Sequence, residues 1–482
     1  MNEVEYLAHD AIDLSRLVQD REISAKEAVQ AAIDRASVVN PKINAVIHPR
    51  YEEALSAASQ SLPNGIFRGV PFLLKDLTVT VKGWPLTNGC RLFAENVSSE
   101  DSELAMRYRQ AGAILMGRTT SPELGLTTDT ISALHGATLN PWDLTLSPGG
   151  SSGGAAAAVA AGIVPVAQAG DGGGSIRIPA AFCGVFGLKP SRGRNPTGPS
   201  RAEGFAGMAV NHVVSRSVRD SAAMLDATAH LDIGAPYAAP APNRPYLLDV
   251  ATDPRPLRIG LQTESFTGVE VDSECVTAAK STARLCAELG HEVVPCRLSI
   301  DLADISAIYD VILCTLAGVT LYDRASELGV PLRVGDAEPA TMLMADRALD
   351  MSSMDYARTL NVAHQLSRRV SRQLHDFDVV LTPTTAVARE ASGVVSLSNP
   401  DRKQFDTQIH RAVAFTQIFN VCGLPAMSVP IHWSSTCMPI GVQFGGRYGD
   451  ESTLFQLAGQ LERARPWFHH YARCLSPSKG SG

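Results

Sequence analysis

The sequence has no block of basic residues and no excess of positive charge. Its 42 Lys and Arg residues are outnumbered by 49 Asp and Glu residues, so the 482-residue chain has a formal net charge of -7. A nucleic-acid groove or a surface that binds an anionic membrane needs clustered positive charge. We therefore expect neither nucleic acid nor a membrane as a partner, and we expect a small molecule as the ligand.

Paired cysteines and a secretory leader are also missing. None of the nine cysteines forms a C-x-x-C pair and their number is odd, so we interpret them as reduced thiols and expect no metal site. The chain starts MNEVEYLAHDAIDLSRLV, which is acidic and amphipathic, whereas a secretory leader is basic and then apolar. No run reaches about 18 uninterrupted apolar residues. These features predict a cytoplasmic protein.

The chain does contain a regular alternation of helix-like and strand-like segments. Ser24 and Glu27 form a capping-box pattern before an amphipathic run, which predicts a helix. An apolar, β-branched stretch over 67–83 is typical of a buried strand, and a helix followed by a strand is predicted between 101 and 125. The alternation predicts an α/β fold, with a large mixed twisted sheet covered by helices on both faces.

The same segments suggest one domain with an insertion and a short tail. The predicted divisions are a single α/β domain over 1–475, its catalytic core over about 65–230 and 376–446, N-terminal helices over 1–60, a helical/αβ insertion over about 257–375 and a flexible tail over 476–482.

Three features of the sequence carry chemistry when they are taken together. Lys75 interrupts an apolar strand, Ser151 and Ser152 lie in GGSSGG at a helix start, and Ser175 follows the run DGGG. Each has an ordinary explanation alone: a lysine that extends to solvent, a flexible turn, or a phosphate-binding loop. A serine is a nucleophile only when a base removes its proton, and a lysine with a pKa lowered by burial is such a base. Successive glycines can also present backbone N–H groups to an oxyanion.

The stretch SPGGSSGGAAAAVAAGIVPVAQAGDGGGSIRIPAAFCGVFGLKPS, together with GVPFLLKD, NPW and FNVCGLPAMSVP, resembles the amidase signature family over nearly the whole chain. The sequence is most similar to the bacterial branch of hydrolases of the 6-aminohexanoate cyclic dimer, aryl amidases and urethanases. The resemblance implies a serine amidohydrolase that needs no metal or cofactor and acts on a small, mostly apolar amide or carbamate. A homodimer is also compatible with it.

The resemblance places a Ser–cis-Ser–Lys triad on Ser175, Ser151 and Lys75. Ser175 would attack the amide carbonyl, and Ser151, after a cis peptide bond, would relay protons between Ser175, Lys75 and the leaving amine. The remaining roles that it implies are backbone oxyanion donors at Gly172, Gly173, Gly174 and Ser175, supporting side chains at Ser152, Asp171 and Arg177, and pocket positions at Gly125, Thr128 and Cys314.

Two departures from the family pattern affect the surroundings of the triad. The usual GKTN reads GRTT at 117–120, and Gly172 stands where family members often carry Thr or Ser. The first departure affects how the turn from Gly125 to Thr128 lines the acyl pocket. The second removes a side-chain contact from the oxyanion loop. Cys314 is interpreted equally well as a substrate contact or as a small buried side chain in a helix.

Two other functions are compatible with parts of the sequence. The family resemblance also includes the amidase subunit of a glutamine-dependent tRNA amidotransferase, which would need partner subunits. A small-molecule kinase could use SPGGSSGGA as a phosphate cradle, because a glycine-rich turn that opens a helix binds anions. The kinase hypothesis leaves Lys75 and the second glycine run without a role.

Overall fold

An eleven-stranded mixed sheet forms the centre of the molecule in a computed structural model that describes residues 1–298, 300 and 302–471. The predicted tail at 476–482 lies outside the described residues. The strands of this sheet are β1 Val46–Ile47, β2 Pro71–Lys75, β3 Ile114–Thr119, β6 Val166–Asp171, β7 Phe186–Lys189, β8 Val210–Ser215, β9 Arg258–Leu261, β10 Glu292–Pro295, β11 Val379–Pro383, β12 Ala426–Trp433 and β13 Pro439–Gly446. The strands β4 Ile131–Ser132 and β5 Gly136–Ala137 form a separate two-stranded antiparallel sheet.

Helices cover the sheet, which confirms the predicted α/β class. They are α1 Glu3–Ala8, α2 Ala11–Gln19, α3 Ala25–Ile43, α4 Tyr51–Ala58, α5 Glu103–Gln110, α6 Gly153–Ala160, α7 Arg177–Cys183, α8 Val218–Thr228, α9 Tyr246–Val250, α10 Ser273–Glu288, α11 Leu302–Glu327, α12 Pro339–Leu349, α13 Ser353–Leu374, α14 Arg402–Val413, α15 Gln417–Val421 and α16 Glu451–Ala464. The capping box predicted at Ser24 and Glu27 is present at the start of α3.

The order of the sheet is β1-β3-β2-β6-β8-β7-β12-β13-β11-β9-β10. β2 runs parallel to both β3 and β6, and β9 runs parallel to β10 and β11, whereas the central strands from β6 to β11 pair antiparallel. β9 and β10 lie within the segment 257–375, so this segment extends the sheet at one edge as well as supplying the helices α11, α12 and α13.

The strand expected over 67–83 is shorter in the structure, where β2 ends at Lys75. The Asp76 N–H still donates to Thr119 O of β3 at 2.9 Å, and the Asp76 carboxylate accepts a hydrogen bond from the Thr87 N–H at 2.9 Å, which closes the loop after the strand. Lys75 is therefore the last residue of a strand rather than an interruption within one.

Helix α11 is long and apolar enough to span a membrane by length and composition alone. Within the fold it packs against α12 and α13, and Ile308, Ala317 and Leu321 are fully buried. Packing inside the protein accounts for part of its apolar composition, since 44% of its apolar window of 18 residues is buried.

Two neighbouring glycines of β13 test how tightly the sheet is packed. A Cβ atom at Gly445 would overlap the buried ring of Phe419, whereas a Cβ atom at Gly446 would meet only flexible side-chain carbons of Leu454 at 3.3–3.5 Å. Overpacking of a core costs about 1–3 kcal/mol. We expect Gly445→Ala to lower the free energy of unfolding by about this amount and so to lower the denaturation midpoint. Gly446→Ala should lower both much less. Equal midpoints for the two variants in chemical denaturation would contradict this packing.

Candidate active site

The candidate site lies where two parallel strands inside the sheet, β2 and β6, end side by side at their carboxyl ends. β2 and β6 are paired with Leu73 opposite Ala167. Lys75 ends β2, and Asp171 ends β6 and begins the glycine turn that leads to Ser175. The carboxyl ends of parallel neighbours meet at the same sheet edge, which brings residues a hundred positions apart in the chain together.

Lys75 is completely enclosed and contacts both serines of GGSSGG. Its Nζ lies 2.7 Å from Ser151 Oγ and 3.0 Å from Ser152 Oγ, and its side chain is 1% exposed. Burial lowers the pKa of Lys75 to about 7, although the negative charge of Asp171 opposes the shift. A substantial fraction of Lys75 is therefore neutral near pH 7 and able to accept a proton.

Ser151 and Ser152 enter helix α6 after a peptide bond between Gly150 and Ser151 that is cis, as the family resemblance implies. The Ser152 hydroxyl donates to Gly170 O at 3.0 Å and accepts from the Gly170 N–H at 3.2 Å. Ser152 thereby attaches the start of α6 to the end of β6. This attachment leaves Ser151 as the serine that faces the cavity beside Lys75.

Ser175 is partly exposed and lines the same cavity as Lys75 and Ser151. Its main-chain carbonyl accepts a hydrogen bond from the Ser152 N–H at 3.2 Å. Its hydroxyl makes no hydrogen bond to any residue that the structure describes, Ser151 included. The structure thus brings all three residues to one cavity and joins Lys75 to Ser151, while the Ser175 hydroxyl has no hydrogen-bond partner in the described part of the chain.

The glycine turn offers fewer backbone donors than the four expected from the sequence. The Gly174 N–H donates to Asp171 Oδ1 at 2.8 Å, so its hydrogen is already used inside the protein. The N–H groups of Gly172, Gly173 and Ser175 have no acceptor among the described residues. Gly174 is required for its conformation instead, because its φ is 129° and a Cβ atom there would lie only 2.5 Å from Thr416 Oγ1, which excludes a side chain.

A buried ion pair between Asp171 and Arg177 supports this turn. Arg177 Nη2 lies 2.9 Å from Asp171 Oδ1, and both side chains are fully buried. Burial by itself raises the pKa of Asp171. The charge and hydrogen bonds of Arg177, together with the charge of Lys189 and the Asn420 hydrogen bond, outweigh burial and hold the carboxyl pKa well below its ordinary value. The supporting positions predicted for Asp171 and Arg177 are therefore joined to each other.

Three residues of the C-terminal half complete the support and are not among the predicted site residues. Arg177 donates to Asn420 Oδ1 at 2.6 Å, to Gln443 Oε1 at 2.7 Å and to the Thr416 carbonyl at 3.0 Å. The Asn420 amide also donates to Asp171 Oδ1 at 2.8 Å. Asn420 lies in the family-like motif FNVCGLPAMSVP, which was the only signal in the sequence for its role.

The cavity at Ser175 has a volume of about 150 Å³ and mainly apolar walls that include Leu77, Leu104 and Val210. A cavity of about this volume holds a group of the size of benzene. Arg201 and Glu203 also line it, so the cavity carries charged groups as well as apolar ones. Within the described part of the chain, no three His, Cys, Asp or Glu side chains are placed to share a metal ion.

The three predicted pocket positions differ in their placement. Gly125 lines the cavity, and a Cβ atom there would lie 3.2 Å from Ser151 Oγ. Thr128 and Cys314 are buried outside the cavity wall, and α11 presents Leu316 and Thr320 to it instead. At Gly172, the missing side chain leaves room that the ring of Phe205 occupies, since a Cβ atom at this position would overlap that ring.

Removal of the charge on Asp171 tests the support beneath the turn. Asp171→Asn would leave the buried Arg177 guanidinium without its counterion, and breaking a buried pair costs about 3–5 kcal/mol. We expect a loss of this size in the free energy of unfolding at pH 7. The pKa of Asp171 is lower in the folded chain than in the unfolded chain. The difference in free energy of unfolding between the wild type and Asp171→Asn should therefore shrink as the pH falls below the ordinary carboxyl pKa towards the lowered one.

The matched control is Glu292→Gln, which breaks the exposed pair between Glu292 and Arg258 at 3.5 Å. Exposed pairs contribute little to stability, so this variant should unfold like the wild type. Denaturant titration of both variants measures the difference. An Asp171→Asn protein as stable as the control would show that the buried pair does not support the turn.

Comparison with known proteins places this geometry in a family. The model of the Amidase family matches residues 27–455. The 6-aminohexanoate-cyclic-dimer hydrolases of Pseudomonas sp. (strain NK87) and Paenarthrobacter ureafaciens are 39% and 38% identical to this chain, and each alignment covers 98% of both sequences.

Solved structures give the same relationship. The structure of a 6-aminohexanoate cyclic dimer hydrolase superimposes with a TM-score of 0.93 at 37% identity and covers 98% of this chain and 99% of its own. A bacterial aryl acylamidase of the amidase signature family superimposes with a TM-score of 0.88 at 27% identity, covering 97% of this chain and 99% of its own. The chain belongs to the amidase signature family and is a hydrolase of amide C–N bonds.

Proposed function

We propose that this enzyme cleaves a small, mostly apolar amide through an acyl-enzyme on Ser175, with protons relayed by Ser151 and Lys75. The observation that carries the proposal is the 2.7 Å contact between the buried Nζ of Lys75 and Ser151 Oγ, in the cavity that Ser175 also lines. A lysine with a pKa of about 7 is a suitable base near neutral pH.

Acylation begins when Ser175 Oγ attacks the amide carbon. The hydroxyl proton passes to Ser151, and Ser151 passes its own proton to neutral Lys75. This transfer requires Ser175 Oγ to approach Ser151 Oγ when substrate is bound, since catalytic hydrogen bonds often form only in the substrate complex. The C–N bond then breaks as a proton returns through Ser151 to the leaving nitrogen, which departs as the amine and leaves the acyl ester on Ser175.

Deacylation repeats these steps with water as the nucleophile. Water loses a proton through Ser151 to Lys75 and attacks the ester carbon, and Ser175 recovers its proton as the acid is released. Unbonded N–H groups in the glycine turn would stabilise the oxyanion in both halves of the reaction, and one such donor contributes about 3–4 kcal/mol.

The substrate class we propose is a linear, aryl or cyclic amide with an apolar body. The likeness to hydrolases of the 6-aminohexanoate cyclic dimer over 98% of the chain supports a cyclic or linear aliphatic amide. The mainly apolar cavity supports the same class. Carbamates have the same carbonyl chemistry and belong in the substrate screen.

A serine-directed fluorophosphonate tests the nucleophile. We expect one covalent adduct on the wild type by intact-protein mass spectrometry, none on Ser175→Ala, and labelling at least 100-fold slower on Lys75→Ala, because the base is removed. Ser398→Ala, which removes a hydroxyl that bonds Glu338 outside the cavity, is the matched control and should label normally. Absence of an adduct on the pure wild type would favour the amidotransferase alternative, in which partner subunits are needed.

The pH dependence tests the base. Because the reaction needs neutral Lys75 and burial lowers its pKa to about 7, kcat/KM for an anilide should fall about tenfold per pH unit below that value and level off above it. The rate of fluorophosphonate labelling should follow the same curve. A labelling rate that is constant between pH 5 and 8 would exclude Lys75 as the titrating base.

A further inference from the structure

Two consecutive carbonyl groups of the glycine turn are held by hydroxyl groups from distant parts of the chain. The Tyr309 hydroxyl, on helix α11, donates to Gly172 O at 2.9 Å. The Thr416 hydroxyl, immediately before α15, donates to Gly173 O at 2.6 Å. These contacts fix the rotation of the peptide groups 172–173 and 173–174, which lie one peptide group before Ser175.

A trans peptide group points its C=O and its N–H in opposite directions. The peptide group between Gly173 and Gly174 shows this arrangement with both sides occupied. Thr416 holds the carbonyl on one side, and the Gly174 N–H donates to Asp171 Oδ1 at 2.8 Å on the other. This peptide group is therefore fully bonded within the protein.

The preceding peptide group is bonded on one side only. Tyr309 holds the Gly172 carbonyl, and the Gly173 N–H on the opposite side has no acceptor among the described residues. Glycine on both sides of this bond leaves the peptide group free of side-chain restraints on its rotation. The hydroxyl of Tyr309 is thus the contact that sets the direction of the Gly173 N–H.

We propose that Tyr309 is a positioning residue that aims the Gly173 N–H at the oxyanion formed when Ser175 attacks the substrate. This inference rests on the proposed function. The ring of Tyr309 also packs against the turn, since a Cβ atom at Gly173 would lie 3.4 Å from Tyr309 Cε1. A donor held in place before the reaction stabilises the transition state without the cost of reorientation.

The surroundings of Tyr309 suit this role. Its side chain is 7% exposed, and burial raises the pKa of the phenol, so the hydroxyl remains a donor at every pH at which the enzyme works. Leu316 and Thr320 follow Tyr309 by roughly two and three helical turns, lie on the same face of α11 and line the cavity. Cys314 lies about 140° around the helix from Tyr309, which explains its place outside the cavity. One face of α11 therefore contacts both the substrate cavity and the oxyanion turn.

The test is Tyr309→Phe, which removes only the hydroxyl. Loss of one oxyanion donor lowers kcat about 10²–10³-fold, and a misdirected donor should have a smaller effect. We therefore expect kcat for 4-nitroacetanilide to fall roughly tenfold or more while KM stays within about twofold. Affinity for a trifluoromethyl ketone, which forms an oxyanion on Ser175, should fall by a similar factor, and affinity for the matching trifluoromethyl alcohol should not change.

Tyr322→Phe is the matched control, because it removes a hydroxyl from the same helix that interacts with the Asp346 carboxylate and does not reach the turn. It should behave as the wild type in every assay. The ratio of ketone affinity to alcohol affinity is measured on folded protein only, so a loss of stability in Tyr309→Phe does not change it. A ratio within twofold of the wild type would overturn the proposal for Tyr309, provided that the wild type hydrolyses the anilide and is labelled on Ser175. A wild type that does neither would contradict the proposed function itself.

Discussion

The buried ion pair between Asp171 and Arg177 is the interaction on which the rest of the site depends. It joins the end of β6 to the start of α7, and through Asn420 and Gln443 it ties both to the C-terminal half of the sheet. Two charges without solvent are stable only when their remaining hydrogen-bonding groups are satisfied. That requirement explains why polar groups from three separate segments converge beneath the glycine turn and hold it in one conformation.

The same pair also bears on the role of base that we propose for Lys75. Burial lowers the pKa of Lys75, whereas the negative charge of Asp171 raises it. Arg177 lies against Asp171 at 2.9 Å and offsets that charge, so the effect of burial prevails. A carboxylate that stays ionised and a lysine that loses its proton can therefore coexist at neighbouring strand ends. Charge compensation at Asp171 and desolvation at Lys75 form one electrostatic arrangement.

Residues with strong local signals were predictable from the sequence. The α/β class, the capping box at Ser24 and the lysine in an apolar strand all follow from local patterns. Other features follow from contacts between distant segments and had no local signal. The Gly174 N–H is used by Asp171, the hydroxyl of Tyr309 reaches Gly172, and the ring of Phe205 occupies the space beside Gly172. None of these contacts is visible in the residues immediately around each position.

Residue types and short spacings are visible in the sequence alone, so the proposed nucleophile, the proposed base and the glycine turn could all be read from it. Tertiary structure decided which of these groups are available and in what direction they point. Pairing of β2 with β6 encloses Lys75 and so lowers its pKa, and the packing of α11 and α15 on the turn leaves some N–H groups bonded and others unbonded. Desolvation and hydrogen-bond direction depend on neighbours that lie between 94 and 243 positions away in the chain, so only the folded chain sets them.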